Sequence, residues 1–161
     1  MSFASRRSVA AAAAALAVAG AGAALVTDSG RAQDPGTTYT ITYGKSDGAL
    51  NDLAPKGIGR GRASVGDQFF ITNAIRRNDG VRGRLQATYI VGQKKVPLVK
   101  SRGHLSGVYR FPDGAIFVEA EGTYDDTDVD RGAIVGGTGA YAGARGTLDS
   151  DKTKDVLHLA P

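Results

Sequence analysis

Five tyrosines of this chain sit an even number of residues from apolar neighbours, a spacing that would turn phenols and aliphatic side chains to the same face of a strand. Tyr39 and Tyr43 are in phase with Ile41, Tyr89 with Leu85, Ala87 and Val91, Tyr109 with Leu105 and Phe111, and Tyr124 with Ile116, Val118 and Ala120. Asn73 shares its phase with Phe69 and Ile71. An apolar interior with a few phenols and one amide is suited to hold a small, largely apolar molecule. Tyr43, Asn73, Tyr89, Tyr109 and Tyr124 are therefore the expected ligand contacts. Asp67, at the entrance of a strand, is the candidate acid, and Arg145 the candidate cation. Each has a plainer alternative: tyrosines pack cores readily, and Arg145 can fix a loop by bonding backbone carbonyls.

Other chemistries lack their parts. The chain has no cysteine, and no serine sits in a nucleophile elbow, so a covalent intermediate is unsupported. The two histidines, His104 and His158, have no metal-ligand spacing, and Asp125, Asp126, Asp128 and Asp130 lack the pattern of a calcium loop, so no metal and no cofactor are expected. Glu119 and Glu121 share one strand face and fall opposite the apolar one, as do Arg82, Arg84 and Arg110. What remains is catalysis by containment, in which a reactive molecule is held in one conformer away from water.

The elements that must position these residues are strands. Two-residue alternation recurs through Thr38 to Tyr43, Asp67 to Ile75, Val81 to Val91, Val96 to Phe111 and Ala115 to Tyr124. Asn78-Asp79-Gly80 and Pro112-Asp113-Gly114 are turn sequences between them. Gly132 to Val135, Gly146 to Asp149 and Lys154 to Leu159 complete about eight strands, and residues 49 to 64 read as a long loop. Short consecutive strands joined by turns favour an all-β closed barrel or a sandwich over any parallel architecture. The basic cluster of Arg76, Arg77, Arg82 and Arg84 is expected to be a solvated strand face.

The segment Val135 to Leu148, VGGTGAYAGARGTL, is glycine-rich without being a phosphate loop, because no Lys-Ser/Thr pair and no following helix accompany it. It is expected to act as backbone architecture, a turn tied down by Tyr141 and Arg145. Together with Gly66-Asp67, Phe69-Phe70, Gly83-Arg84-Leu85 and Phe111-Pro112-Asp113-Gly114, this segment resembles the allene oxide cyclase barrel-like superfamily, which includes the plant dirigent proteins. The resemblance covers roughly residues 50 to 150 and carries across at Gly136, Gly137, Thr138, Gly139, Tyr141, Ala144, Arg145 and Gly146. It implies an eight-stranded antiparallel closed barrel with a central pocket and a homo-oligomer, trimer or dimer. It also implies a cyclase-like or isomerase-like activity without metal or covalent intermediate, or a role in steering radical coupling. The alternative from another class is a non-catalytic secreted barrel that binds a ligand or another surface.

Residues 1–32 read as an export signal, with Arg6 and Arg7 before an alanine-rich run and small residues at Gly30 and Ala32, in a form that suits a twin-arginine signal. Residues 33–161 would then be one secreted domain without a stable membrane anchor. The formal net charge of +4 is partly a property of the signal, since Arg6, Arg7 and Arg31 lie within it. The remaining balance gives no reason to expect a nucleic-acid partner.

Overall fold

A computed structural model of the chain describes residues 36–53, 62–93, 97, 100–123, 130–151 and 153–161. The expected export signal and Tyr124 lie outside the described residues. Eight strands run in order: β1 (Thr38–Asn51), β2 (Gln68–Arg77), β3 (Arg82–Val91), β4 (Arg102–Phe111), β5 (Gly114–Thr123), β6 (Asp130–Gly139), β7 (Gly146–Ser150) and β8 (Lys154–Leu159). Each pairs antiparallel with the next, and β8 returns to β1, so the sheet closes as a barrel. Of the two architectures compatible with the alternation, the barrel is the one adopted. Closure leaves the lower part of the sheet without an open edge.

The turns after β2, β4 and β6 gather at one end, here called the floor, with the start of β1 and the end of β8. The connections after β1, β3, β5 and β7 form the other end, the mouth. The inward phase of the strands fills the interior. Ile41, Ile71, Ile75, Leu85, Tyr109, Phe111, Ile116, Val118, Leu148 and Leu157 form the main core, while Phe69, Tyr89, Val91, Leu105 and Ala120 form a second cluster toward the mouth.

Two elements differ from the sequence reading. Strand β1 continues past Tyr43 to Asn51 after a register shift between Tyr43 and Ser46. Beyond Thr42 it is paired only with β2, and residues 44–51 are exposed. A strand that buries neither face carries no two-residue apolar signal, which is why Ala49 to Asn51 read as loop. The glycine segment also begins as strand: Gly136 to Gly139 are the end of β6, and the turn starts only at Ala140. Gly137 is needed for close approach there, since a Cβ on it would stand 2.2 Å from the Tyr141 carbonyl oxygen. Gly139 takes φ 59°, a left-handed conformation that glycine adopts without steric penalty.

Candidate functional site

Inward-facing polar residues form two separate groups. The first lies at the floor and centres on Arg77. Its position follows from the phase of β2, where Phe69, Ile71, Asn73, Ile75 and Arg77 are all buried. The expectation that Arg77 belongs to a solvated basic face is therefore corrected: Arg76, Arg82 and Arg84 are exposed, and Arg77 is turned inside. Its guanidinium bonds the Asp79 carboxylate through Nε at 3.0 Å and Nη2 at 2.8 Å. Nη1 donates to Asp113 Oδ2 at 3.1 Å and also to the Tyr141 hydroxyl. Tyr141 in turn donates to Asp113 Oδ1 at 3.0 Å.

The same guanidinium lies over the rings of Tyr39 at 4.8 Å, Phe111 at 5.1 Å and Tyr141 at 5.9 Å. Burial works to lower the Arg77 pKa, but the hydrogen bond it donates to Asp79 and the charges of Asp113 and Asp79 outweigh it and leave the value raised. The hydrogen bond from Arg77 in turn holds the Asp79 carboxyl below its usual range. Arg77 thus joins the turns after β2, β4 and β6 into one satisfied plug. Tyr141 does tie the glycine segment down, and does so through this network.

The second group spans the lumen. Tyr109 of β4 donates its hydroxyl hydrogen to Asp155 Oδ2 of β8 at 2.5 Å, and both residues have no exposed surface. Strands β4 and β8 are four places apart in either direction around the eight-stranded barrel, so this bond crosses the interior between opposite walls. Asp155 lies in phase with Leu157 and Leu159, which places an acid where β8 is otherwise apolar.

Burial raises the Asp155 pKa from 3.8 to about 6, against the opposing hydrogen bonds of Ser150, Tyr109 and Tyr43, while the charge of Asp151 adds to the rise. Burial, then the charge of Asp155, pushes the Tyr109 phenol well above its ordinary value, so it stays protonated. Oδ1 of Asp155 has no well-formed hydrogen bond among the described residues, even though Ser150 and Tyr43 are near enough to bias its proton. The same holds for Oδ1 of Asn73, which is 1% exposed. Asn73 belongs to the paired row Asn73, Leu85, Tyr109, two strands from Tyr109.

From Asp155 a polar row climbs toward the mouth. Asp155 is paired with Ser150 of β7, and Ser150 with Asp130 of β6. Asp130 accepts a bond from the Thr123 backbone N–H at 3.4 Å and leans over Gly122, where a Cβ would lie 2.5 Å from its Oδ2. Glycine at 122 is what leaves room for that carboxylate.

The sequence-derived candidates divide among these regions. Tyr109, Asn73 and the half-buried Tyr43 belong to the lumen set. Tyr89 lies nearer the mouth, packed 5.9 Å from the Phe69 ring and donating to the Ser101 carbonyl at 2.7 Å. Asp67 is fully buried, and its carboxylate accepts the backbone N–H groups of Leu53 at 2.8 Å and Ser64 at 2.6 Å. It staples the connection after β1. Arg145 is exposed beside Phe117 on the outer wall, and it bonds the Ala144 carbonyl at 2.7 Å. Neither Asp67 nor Arg145 is brought to the Tyr109 and Asp155 bridge. Asp155 and Arg77 were missed, although each stands in phase with inward aliphatic residues of its own strand.

Fold and site together define an eight-stranded antiparallel barrel with an acid inside its lumen, an architecture compatible with small-molecule binding. Among solved structures, the chain is similar to pyocyanin demethylase, with a TM-score of 0.55 and 20% sequence identity over 78% of this chain and 99% of that one. That likeness establishes the shared barrel fold. No protein-family model and no curated protein matches the sequence.

Proposed function

We propose that the protein is an exported barrel that binds a small, largely apolar molecule in its lumen and steers that molecule's cyclisation or coupling. The observation that carries the reading is the Asp155 carboxyl, fully buried inside the barrel and bonded by Tyr109 from the opposite wall. Taking an ionisable carboxyl out of water into an apolar interior is costly, so an acid there calls for a role. A carboxyl with a pKa of about 6 is suited to give or take a proton near neutral pH. Tyr109 holds it in place, and the aliphatic and aromatic wall excludes water from a reactive guest.

The glycine segment supports placing the chain near the allene oxide cyclase barrel-like and dirigent group, whose members work by this kind of containment. The likeness to a barrel named as a demethylase supports a catalytic lumen in the same way. Secretion follows from the signal-like first 32 residues, and assembly as a homo-oligomer from the family resemblance.

A non-catalytic binding barrel is the second reading. It is favoured by Tyr89 and Tyr109, which are packed shut with their hydroxyls already bonded inside the protein. Native mass spectrometry of the purified protein tests whether the lumen is occupied at all. A co-purifying small molecule that is lost in Asp155→Leu is the expected result. A wild-type protein that carries no guest and binds no apolar fluorescent probe would overturn the lumen reading in both its forms.

A further inference from the structure

The outer wall of the barrel pairs its charges in two different ways. Between β4 and β5, and again between β6 and β7, an exposed arginine meets a carboxylate. Arg102 Nε lies 3.0 Å from Glu121 Oε1, and Arg131 Nε lies 3.4 Å from Oδ1 of Asp149, its direct partner in the ladder. On β2, β3 and β4, toward the floor, like faces like: Arg76 is directly opposite Arg82, and Arg84 is directly opposite Arg110. All four are exposed, and none has an ion pair among the described residues. Arg110 donates instead through Nε to Gln86 Oε1 at 3.2 Å, while the floor carboxylates of Asp79 and Asp113 are engaged by Arg77. Like charges directly opposite each other destabilise a sheet. This arrangement therefore costs the fold stability, unlike the ion pairs on the rest of the wall.

We propose that this face docks an anionic polysaccharide, whose phosphate or sulfate groups bridge the opposed arginines. Opposite residues stand about 5 Å apart and alternate residues of one strand about 7 Å apart, so Arg76, Arg82, Arg84 and Arg110 trace a zigzag roughly 17 Å long. A line of cations of that length suits a chain better than a single small anion. A guanidinium matches the oxygens of a phosphate with two parallel hydrogen bonds, and sulfate presents the same tetrahedral oxygens. An anion seated between two opposed arginines turns their repulsion into attraction. The positions that share this face are Thr42 beside Arg76, Ala74 beside Arg84, and Gln86 with its partner Val108. None is aromatic, so the bases of a nucleic acid find no ring to stack on and a bilayer meets no ring to insert. Thr42 and Gln86 can instead bond sugar hydroxyls. The face lies outside the barrel and does not depend on what the lumen holds.

The test titrates the full chain at about 0.1 M salt with a heparin octasaccharide, with single-stranded DNA of matched charge, and with vesicles of phosphatidylglycerol and phosphatidylcholine. The octasaccharide is expected to bind tightest. Arg82→Gln/Arg84→Gln takes one arginine from each opposed pair and should weaken that binding at least about tenfold. Arg102→Gln/Arg131→Gln removes the same formal charge from the ion-paired part of the wall and should keep the affinity within about twofold. Because the opposed arginines repel each other, Arg82→Gln/Arg84→Gln should also melt at or above the wild-type temperature. A lower melting temperature would assign the four arginines to the fold, and equal weakening by the two double variants would reduce the binding to net charge. Either result overturns the proposal. So does binding of the DNA or the vesicles as tight as that of the octasaccharide, or an octasaccharide that does not bind.

Discussion

The floor and the lumen of this barrel both bury charged side chains, yet they treat them in opposite ways. At the floor, the five donors of Arg77 meet two carboxylates, a phenol and three aromatic faces, and both carboxylates keep contact with water. In the lumen, Asp155 is fully enclosed among hydroxyl groups, with Tyr109 donating to it, and Asn73 Oδ1 has no hydrogen bond among the described residues. A satisfied network fixes three turns and so maintains the fold. An incompletely satisfied one costs stability that the rest of the fold has to offset. The same residue chemistry thus reads as architecture or as site according to whether its hydrogen-bonding capacity is used up.

The contrast can be broken most severely at Arg77. Arg77→Ala removes the hub of the floor, and urea unfolding should show a loss of about 3–5 kcal/mol, the range for breaking a buried ion pair from one side. A loss below about 1 kcal/mol would mean that the floor behaves as a surface pair and that the contrast with the lumen is false.

The next effect is one of sign. Because the folded pKa of Asp155, about 6, lies above its ordinary 3.8, its contribution to stability is fully present below the lower value and is lost as pH rises through the upper one. A shift of about two units corresponds to about 3 kcal/mol. Asp155→Asn should accordingly gain about that much relative to wild type between pH 3.5 and 7.5 in paired denaturation curves. A difference that stays constant with pH would show that Asp155 is not enclosed. Asp79 at the floor runs the other way: its lowered pKa gives stability that is present above the unfolded value and lost as pH falls.

The smallest effect is expected at Asn73. Replacing an amide whose acceptor is unpartnered by an aliphatic group of similar size should leave stability unchanged or raise it by about 1 kcal/mol, so Asn73→Leu should melt at or above the wild-type temperature. A destabilisation of about 2 kcal/mol or more would show that the amide already has its partners, as the groups at the floor do.

Much of this was legible from two-residue phase. The inward tyrosines, Asn73 and the hairpin turns at Asn78 and Pro112 all follow from alternation and turn chemistry, because a strand exposes its side chains to two faces in strict succession. The same rule placed Arg77 with Ile75 and Asp155 with Leu157, but charged residues are so often solvated that composition hid them. Asp67 and Arg145 stood out by motif and position, and the fold uses both to hold backbone.

The sequence by itself therefore determined the strands, their turns and the face to which each side chain belongs, since these depend on neighbours one to four residues away. Alternation alone left the closure open between barrel and sandwich, while the resemblance carried by the glycine segment implied the closed eight-stranded barrel that is found. Only the tertiary structure showed that β8 returns to β1, and with it that Tyr109 and Asp155, 46 residues apart, meet in a hydrogen bond across the lumen. That pairing depends on which walls stand opposite, and on whether water reaches the space between them, and neither is a property of any local stretch of chain.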